Sequence, residues 1–230
     1  MRHLIIPDVH EQYSKLLDLE PKIMEADKVV LLGDFGDTFK DPGRWLQHTY
    51  RWVKERLDDP KFTVLIGNHD NHYYFPNPAF YCSGFKSTSR NAVREIITPD
   101  DVRKMHLWTE VGAYTLAHAG FHIDTLHLKR PEMEKEAIEL GLSGKRVHEL
   151  FQPGRARGGY AQTGGVNWLD WNYEFEPITG MPQIVGHTNG ARIKSEEGED
   201  GMTSWCIDTG LRHIAWIDDE TNEVVIEELK

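Results

Sequence analysis

The sequence predicts an α/β protein. Three observations carry that reading. The first third of the chain alternates short apolar runs with segments of helical spacing, which is the order of a βαβ unit. Three successive apolar runs each end in a cluster of Asp, His or Asn. The tail instead alternates apolar and polar residues on either side of a polar turn, as antiparallel strands do.

The elements follow in order. Residues 2–6 close on Leu4-Ile5-Ile6 and read as a buried strand that runs into Pro7-Asp8-Val9-His10. Residues 12–26 carry Leu16, Leu17, Leu19, Ile23 and Met24 at helical spacing, and Pro21 splits or ends that helix. Val29-Val30-Leu31-Leu32 is a second strand, expected parallel to the first, and it ends in Gly33-Asp34-Phe35-Gly36-Asp37. A helix is expected over Gly43–Leu57, with Trp45, Leu46, Trp52 and Val53 inward. A third strand, Phe62–Ile66, ends in Gly67-Asn68-His69-Asp70. Residues 71–91 read as a loop whose aromatics Tyr73, Tyr74, Phe75, Phe80 and Tyr81 either wall a pocket or pack the loop down. A short helix over Asp100–His106 precedes a strand over Val111–Ala117, which ends in His118-Ala119-Gly120. Residues 130–151 are charged and helical in pattern, and Pro153–Gly165 is a Gly-rich loop carrying Arg155 and Arg157. Trp168, Trp171 and Tyr173 mark a packed aromatic segment. Gln183-Ile184-Val185 is a strand ending in Gly186-His187-Thr188-Asn189. Trp205 and Ile207, Ile214 and Trp216, and Val224–Ile226 complete antiparallel strands around a turn at residues 218–222.

With 230 residues, 39% of them hydrophobic, the chain can bury one sizeable core, and a single domain over 1–230 is expected. No window is apolar enough for a membrane span, and no secretory signal is visible. Two cysteines, Cys82 and Cys206, make neither a disulfide framework nor a thiolate metal site. Free thiols in a reducing compartment, the cytoplasm, are the expectation. The net charge of −11 disfavours stable binding to duplex nucleic acid. It does not exclude chemistry on phosphate, because two divalent cations would add about four positive charges at the site itself.

The polar residues fall in one kind of place. In open α/β sheets, ligands gather at the carboxyl ends of the strands, and Asp8, His10, Asp34, Asn68, His118 and His187 all lie at such ends. Random placement would not keep choosing the same end of successive strands. The set holds carboxylates, imidazoles and one amide, and no thiolate. That chemistry suits two borderline divalent cations better than a structural zinc. Asp8 and His10, two apart on extended chain, face the same way. Either arginine of the Gly-rich loop could hold a substrate phosphate.

The blocks Asp8-x-His10, Gly33-Asp34-x-x-Asp37, Gly67-Asn68-His69-Asp70, His118-Ala119-Gly120 and Gly186-His187, in this order across nearly the whole chain, resemble the calcineurin-like metallophosphoesterase superfamily. His118-Ala119-Gly120 and Cys206-Ile207-Asp208-Thr209-Gly210 bring the chain nearest to the phosphoprotein-phosphatase branch, which includes bacterial and phage Ser/Thr phosphatases and dinucleoside tetraphosphatases. The resemblance implies the metallo-dependent phosphatase fold, a four-layer α/β/β/α sandwich of two mixed sheets. It implies two divalent metal ions, Mn foremost, with Fe, Zn, Ni or Mg as alternatives. Asp8, His10 and Asp34 would hold the first; Asp34, Asn68, His118 and His187 the second. His69 would be the general acid, and Asp37 would fix its tautomer and raise its pKa.

The implied activity is hydrolysis of a phosphorylated protein, nucleotide or small molecule, a phosphomonoester first. Departures from the branch pattern keep a phosphodiesterase or nucleotide pyrophosphohydrolase in view. Thr38 and Ile66 stand where protein phosphatases have arginines that grip the phosphate. Asn189 stands where the wider superfamily has a second histidine, and Asp70 where the branch has Glu. Asp70 is expected to bond backbone rather than metal, and His72, His122 and His127 to occupy ordinary loop or surface positions. A metal-free scaffold on the same fold has no reason to keep all six ligand positions.

Overall fold

The computed structural model describes residues 1–38 and 43–229. Two five-stranded sheets form its centre. In the first, β1 (Arg2–Ile6), β2 (Lys28–Leu31) and β3 (Phe62–Val64) run parallel, with Ile5 beside Val30 and Leu31 beside Val64. The second contains β4 (Trp108–Val111), β5 (Tyr114–Ala117), β6 (Gln183–Val185), β7 (Lys194–Glu197) and β8 (Thr203–Cys206), in the order β4-β5-β6-β8-β7. The last two strands, β9 (His213–Asp218) and β10 (Val224–Glu228), return to the first sheet as an antiparallel hairpin beside β1, giving β10-β9-β1-β2-β3. Both sheets are mixed, as the resemblance implied.

Side-chain alternation along β1 sets the layers, because successive residues of a strand face opposite sides. Ile5 turns toward the second sheet and packs with Leu116, Ile184, Ile207, Ala215 and Ile217. Leu4 and Ile6 turn the other way, into a core shared with Leu16, Ile23, Tyr50 and Val53 of the helical layer. That layer includes α1 (Tyr13–Asp18), α2 (Glu20–Glu25) and α3 (Leu46–Lys54). Pro21 sits in the first turn of α2, where a missing N–H costs nothing, so it opens the second helix after the split. On the far side of the second sheet, Val185 and Cys206 pack against Leu169, Trp171 and Phe175; of the aromatics expected to pack there Trp171 does, while Tyr173 is exposed.

Three expectations need correction. Residues 71–91 are not one loop. The chain continues from Asn68 as α4 (Asn68–Tyr74) and later forms α5 (Ser87–Arg94). Tyr73, Tyr74, Phe75 and Phe80 are buried, and only Tyr81 of that aromatic set reaches the cleft described below. The strand expected over 111–117 is the second arm of a hairpin: β4 ends at Val111, and Gly112, at φ 56°, turns the chain into β5. β8 runs parallel to β6 and antiparallel only to β7, so antiparallel pairing in the tail holds for β9 with β10 but not throughout. Two further helices are short or shortened: α6 (Pro99–Val102) and α7 (Pro131–Ser143).

Candidate metal centre and cleft

The loops that follow β1, β2, β3, β5 and β6 converge between the two sheets. Their backbone is held in unusual conformations. His10, Asp34, Asp37 and His187 all adopt positive φ, from 44° to 64°, a region that costs a non-glycine residue energy and that clusters at functional sites. Close approach excludes larger residues between these loops. A Cβ on Gly67 would lie 2.1 Å from Asp34 Oδ1, and one on Gly186 would lie 2.0 Å from Asp8 Oδ1.

Two groups of ligand atoms result. Those of Asp34, His118 and His187 lie within 4.8 Å of one another, and so do those of Asp8, His10 and Asp34. Asp34 belongs to both. Asn68 Oδ1 is 2.9 Å from His118 Nε2 and 2.9 Å from His187 Nδ1, which adds the amide to the first group. Asp8 also receives the backbone N–H of His187 at 3.0 Å, tying the two sheets together across the site.

The donor set can be tested for a cation from its hydrogen bonds. His118 Nδ1 donates to the carbonyl of Leu32 at 3.0 Å, so its Nε2 carries a lone pair. That lone pair faces Asn68 Oδ1 and, at 3.4 Å, Asp34 Oδ2. His10 repeats the pattern: Nδ1 donates to the carbonyl of Gly36 at 2.9 Å, and Nε2 lies 3.7 Å from Asp34 Oδ2 and 3.9 Å from Asp8 Oδ2. Electron pairs that converge in a buried site repel unless a cation stands between them. An imidazole oriented by a carbonyl at its far nitrogen is also the usual preparation of a metal ligand. Burial pushes the His118 imidazole down to about 3 and lowers His187 well below the ordinary range, so both are neutral and able to donate lone pairs. Burial, reinforced by repulsion from neighbouring carboxylates (Asp208 for Asp8, Asp8 and Asp70 for Asp34), drives the carboxyls of Asp8 and Asp34 well above theirs. A buried carboxylate cluster of this kind needs positive charge. The residues fit divalent cations.

Asp70 bonds backbone, and it organises the Asp34 turn. Its Oδ2 accepts from the N–H groups of Asp34 (2.8 Å) and Gly67 (2.9 Å). Its Oδ1 accepts from the N–H of Phe35 (3.0 Å) and the hydroxyl of Tyr50 (2.7 Å). His69 Nδ1 lies 2.8 Å from Asp37 Oδ2. Burial opposes ionisation of Asp37, but His69, His72 and Tyr73 together hold its carboxyl well below the usual range. For His69, burial lowers the pKa and outweighs the raising effect of Asp37, so its net shift is opposite to the one expected from sequence. His72 is a second difference. It is fully buried on α4, with Nε2 2.8 Å from Asp37 Oδ2, and is no loop or surface residue.

A cleft of about 710 Å³ opens onto these candidate ligands. His10, Asp34, Asn68, His69 and His187 line it, with Tyr81, Cys82, Trp168 and Asp208 around them. Arg157 is the one arginine or lysine among the described residues lining it. Its Nε lies 2.7 Å from Asp170 Oδ2, and a terminal nitrogen donates to Thr188 Oγ1 at 3.0 Å. Arg155 is exposed and not part of the cleft lining. From sequence, His72 is expected at an ordinary loop or surface position, and Asp170 and Thr188 are given no role. Thr188 follows the candidate ligand His187 directly, which was the available signal; nothing in the sequence pairs Asp170 with Arg157.

A fold of two mixed sheets with a buried Asp/His/Asn centre at the strand ends defines the metallophosphoesterase class. The calcineurin-like phosphoesterase family model matches residues 1–215, and the chain belongs to that family. Metallophosphoesterase 1 of Xenopus laevis is 24% identical over 134 residues, covering 56% of this chain and 33% of its own length. The chain thus spans a third of that curated relative. Among solved structures, the cold-active protein-tyrosine phosphatase of a psychrophilic Shewanella species superposes with a TM-score of 0.65. It is 14% identical, over 100% of this chain and 80% of that one. A protein serine/threonine phosphatase from Saccharomyces cerevisiae gives a TM-score of 0.54 at 14% identity, with the same coverage. These structural likenesses establish the fold. Among the described residues, no helix is long and apolar enough to cross a membrane.

Proposed function

We propose that the protein is a two-metal phosphoester hydrolase whose first substrates are phosphomonoesters. The observation that carries this reading is that Asp34 is common to both groups of ligand atoms. Asp8, His10 and Asp34 would hold one divalent ion and Asp34, Asn68, His118 and His187 the other, Mn being the first candidate for a set of carboxylates, imidazoles and an amide. Two such ions, when bound, supply Lewis-acid stabilisation of phosphoryl oxygens and acidify water.

The remaining residues have work of their own. Arg157, fixed by Asp170 and Thr188, offers its guanidinium to a phosphoryl oxygen in the cleft. His69, held at Nδ1 by Asp37, gives a proton through Nε2 to the departing oxygen. Its lowered pKa makes it a readier donor once protonated. Asp70 keeps the Asp34 turn in register. Cys82 and Cys206 are both free, in keeping with a reducing compartment such as the cytoplasm.

One observation favours a second reading. Ile66, where a phosphate-gripping arginine would stand in protein phosphatases, is fully buried, and Thr38 replaces the other. A diester or pyrophosphate, carrying less charge per phosphorus, needs fewer arginines. The test is a panel of p-nitrophenyl phosphate, bis-p-nitrophenyl phosphate and a dinucleoside polyphosphate, assayed with manganese-loaded protein. Fastest turnover of the monoester is expected. Preference for either other substrate would move the assignment to the second reading, and inertness toward all three would overturn both.

A further inference from the structure

The helix α4 begins on the metal-site residue Asn68 and runs only to Tyr74, yet three of its side chains meet one carboxylate. Residues 69, 72 and 73 are related by i, i+3 and i+4 and therefore share a face. That face turns to Asp37. His69 Nδ1 and His72 Nε2 each lie 2.8 Å from Asp37 Oδ2, and the Tyr73 hydroxyl donates to Oδ1. His72 is fully buried, packed edge-on against Tyr73 at 4.3 Å and Phe85 at 5.3 Å. Its other nitrogen, Nδ1, is 3.3 Å from Cys82 Sγ.

Hydrogen-bond direction along this chain follows from chemistry. An ionised Asp37 only accepts, so His72 must present an N–H at Nε2. Neutral imidazole then has its lone pair at Nδ1, and the Cys82 thiol is the group beside it that can donate. Burial keeps that thiol protonated. The order Cys82, His72, Asp37, His69 is thus a line of close polar contacts, in which the His72 N–H approaches Asp37 at 2.8 Å without pointing squarely at it, and the Cys82 thiol has the Asn68 carbonyl at 3.9 Å as a second acceptor. Without His72, Asp37 would keep His69 on Oδ2 and Tyr73 on Oδ1 but lose the second imidazole that fixes where Oδ2 sits.

Resting on the reading of His69 as proton donor, we propose that His72 is a positioning residue for the reaction: it locks Asp37 so that His69 is held in the tautomer and orientation that protonate the leaving group. It touches no substrate, and its effect passes through Asp37.

The experiment compares phenyl phosphate, whose leaving group needs a proton, with 2,4-dinitrophenyl phosphate, whose leaving group does not. His69→Asn first checks the underlying reading: it should slow phenyl phosphate by roughly a hundredfold and spare the dinitrophenyl ester, since general acids contribute about that much. His72→Phe should lower kcat on phenyl phosphate by about tenfold, with KM within about twofold, and likewise spare the dinitrophenyl ester. His72→Gln, which keeps a donor near the Nε2 position, should recover most of that loss. Equal slowing on both esters, or none on either, would overturn the inference while leaving the reading of His69 intact. Equal slowing of both esters by His69→Asn would overturn the reading and the inference with it. The nitrogen NMR shifts of wild-type His72 give a test independent of how the variants fold: protonation at Nε2 supports the proposal, and protonation at Nδ1 overturns it.

Discussion

Replacing Asp70 by Asn tests how the metal turn is built. The substitution keeps the shape and removes one acceptor. Asp70 receives four donors, two on each oxygen: Asp34 N and Gly67 N on one, Phe35 N and the Tyr50 hydroxyl on the other. An amide can serve one pair, and its own N–H groups then face the other pair. Two hydrogen bonds to a charged acceptor are lost, at about 1.5–3 kcal/mol each, so the variant should be destabilised by roughly 3–6 kcal/mol. For a chain of this size each kcal/mol lowers Tm by about 2–4 °C, so the midpoint should fall by roughly 6–24 °C. Asp34 N is one of the four donors, so metal affinity should fall as well. Urea unfolding of metal-stripped protein at pH 7.5, followed by a manganese titration of the folded variant, measures both. A loss below about 1 kcal/mol, with unchanged affinity, would refute the claim that this carboxylate holds the turn together.

Two other predictions concern separate parts of the molecule. Arg157→Ala should reduce kcat/KM for a phosphomonoester by about ten- to a hundredfold, through loss of a charge-assisted contact, while Arg155→Ala should leave it within about twofold; equal effects in steady-state assays would contradict the assignment of the cleft cation. Asp101 accepts from the Thr98 N–H and hydroxyl and from Lys54, each at 2.8 Å, and these partners hold its carboxyl below the ordinary range against the opposing effect of burial. A depressed folded-state pKa contributes stability above the unfolded value, near 4, and loses it as pH falls through the folded value. Asp101→Ala should therefore cost about 1–2 kcal/mol at pH 7 and progressively less below pH 4, read from urea midpoints across that range; a cost that persists at pH 2 would contradict it.

Much of the first sheet was legible because its strands are apolar and buried, and their ends are marked by metal-type residues. The six ligand candidates fall together for the same reason. The residues that escaped notice lack such marks. α4 is buried on nearly every side, so Asn68–Tyr74 has no apolar stripe and reads as loop; with the helix unseen, the i, i+3 relation of His69 and His72 was invisible. β7 is an exposed edge strand of Lys-Ser-Glu-Glu, with no hydrophobic alternation to reveal it. Arg155 and Arg157 share one short turn, and composition alone cannot say which faces the cleft. That choice is made by Asp170 and Thr188, which come from distant segments.

The most direct measurement is a count of bound manganese on purified, metal-loaded protein and on its Asp34→Asn variant. The account predicts close to two ions per chain in the parent protein. In the variant it predicts loss of at least one ion, with turnover abolished and the far-UV circular dichroism unchanged. A parent protein that binds no metal, or a variant that keeps both ions and full activity, would contradict the claim that Asp34 bridges two cations.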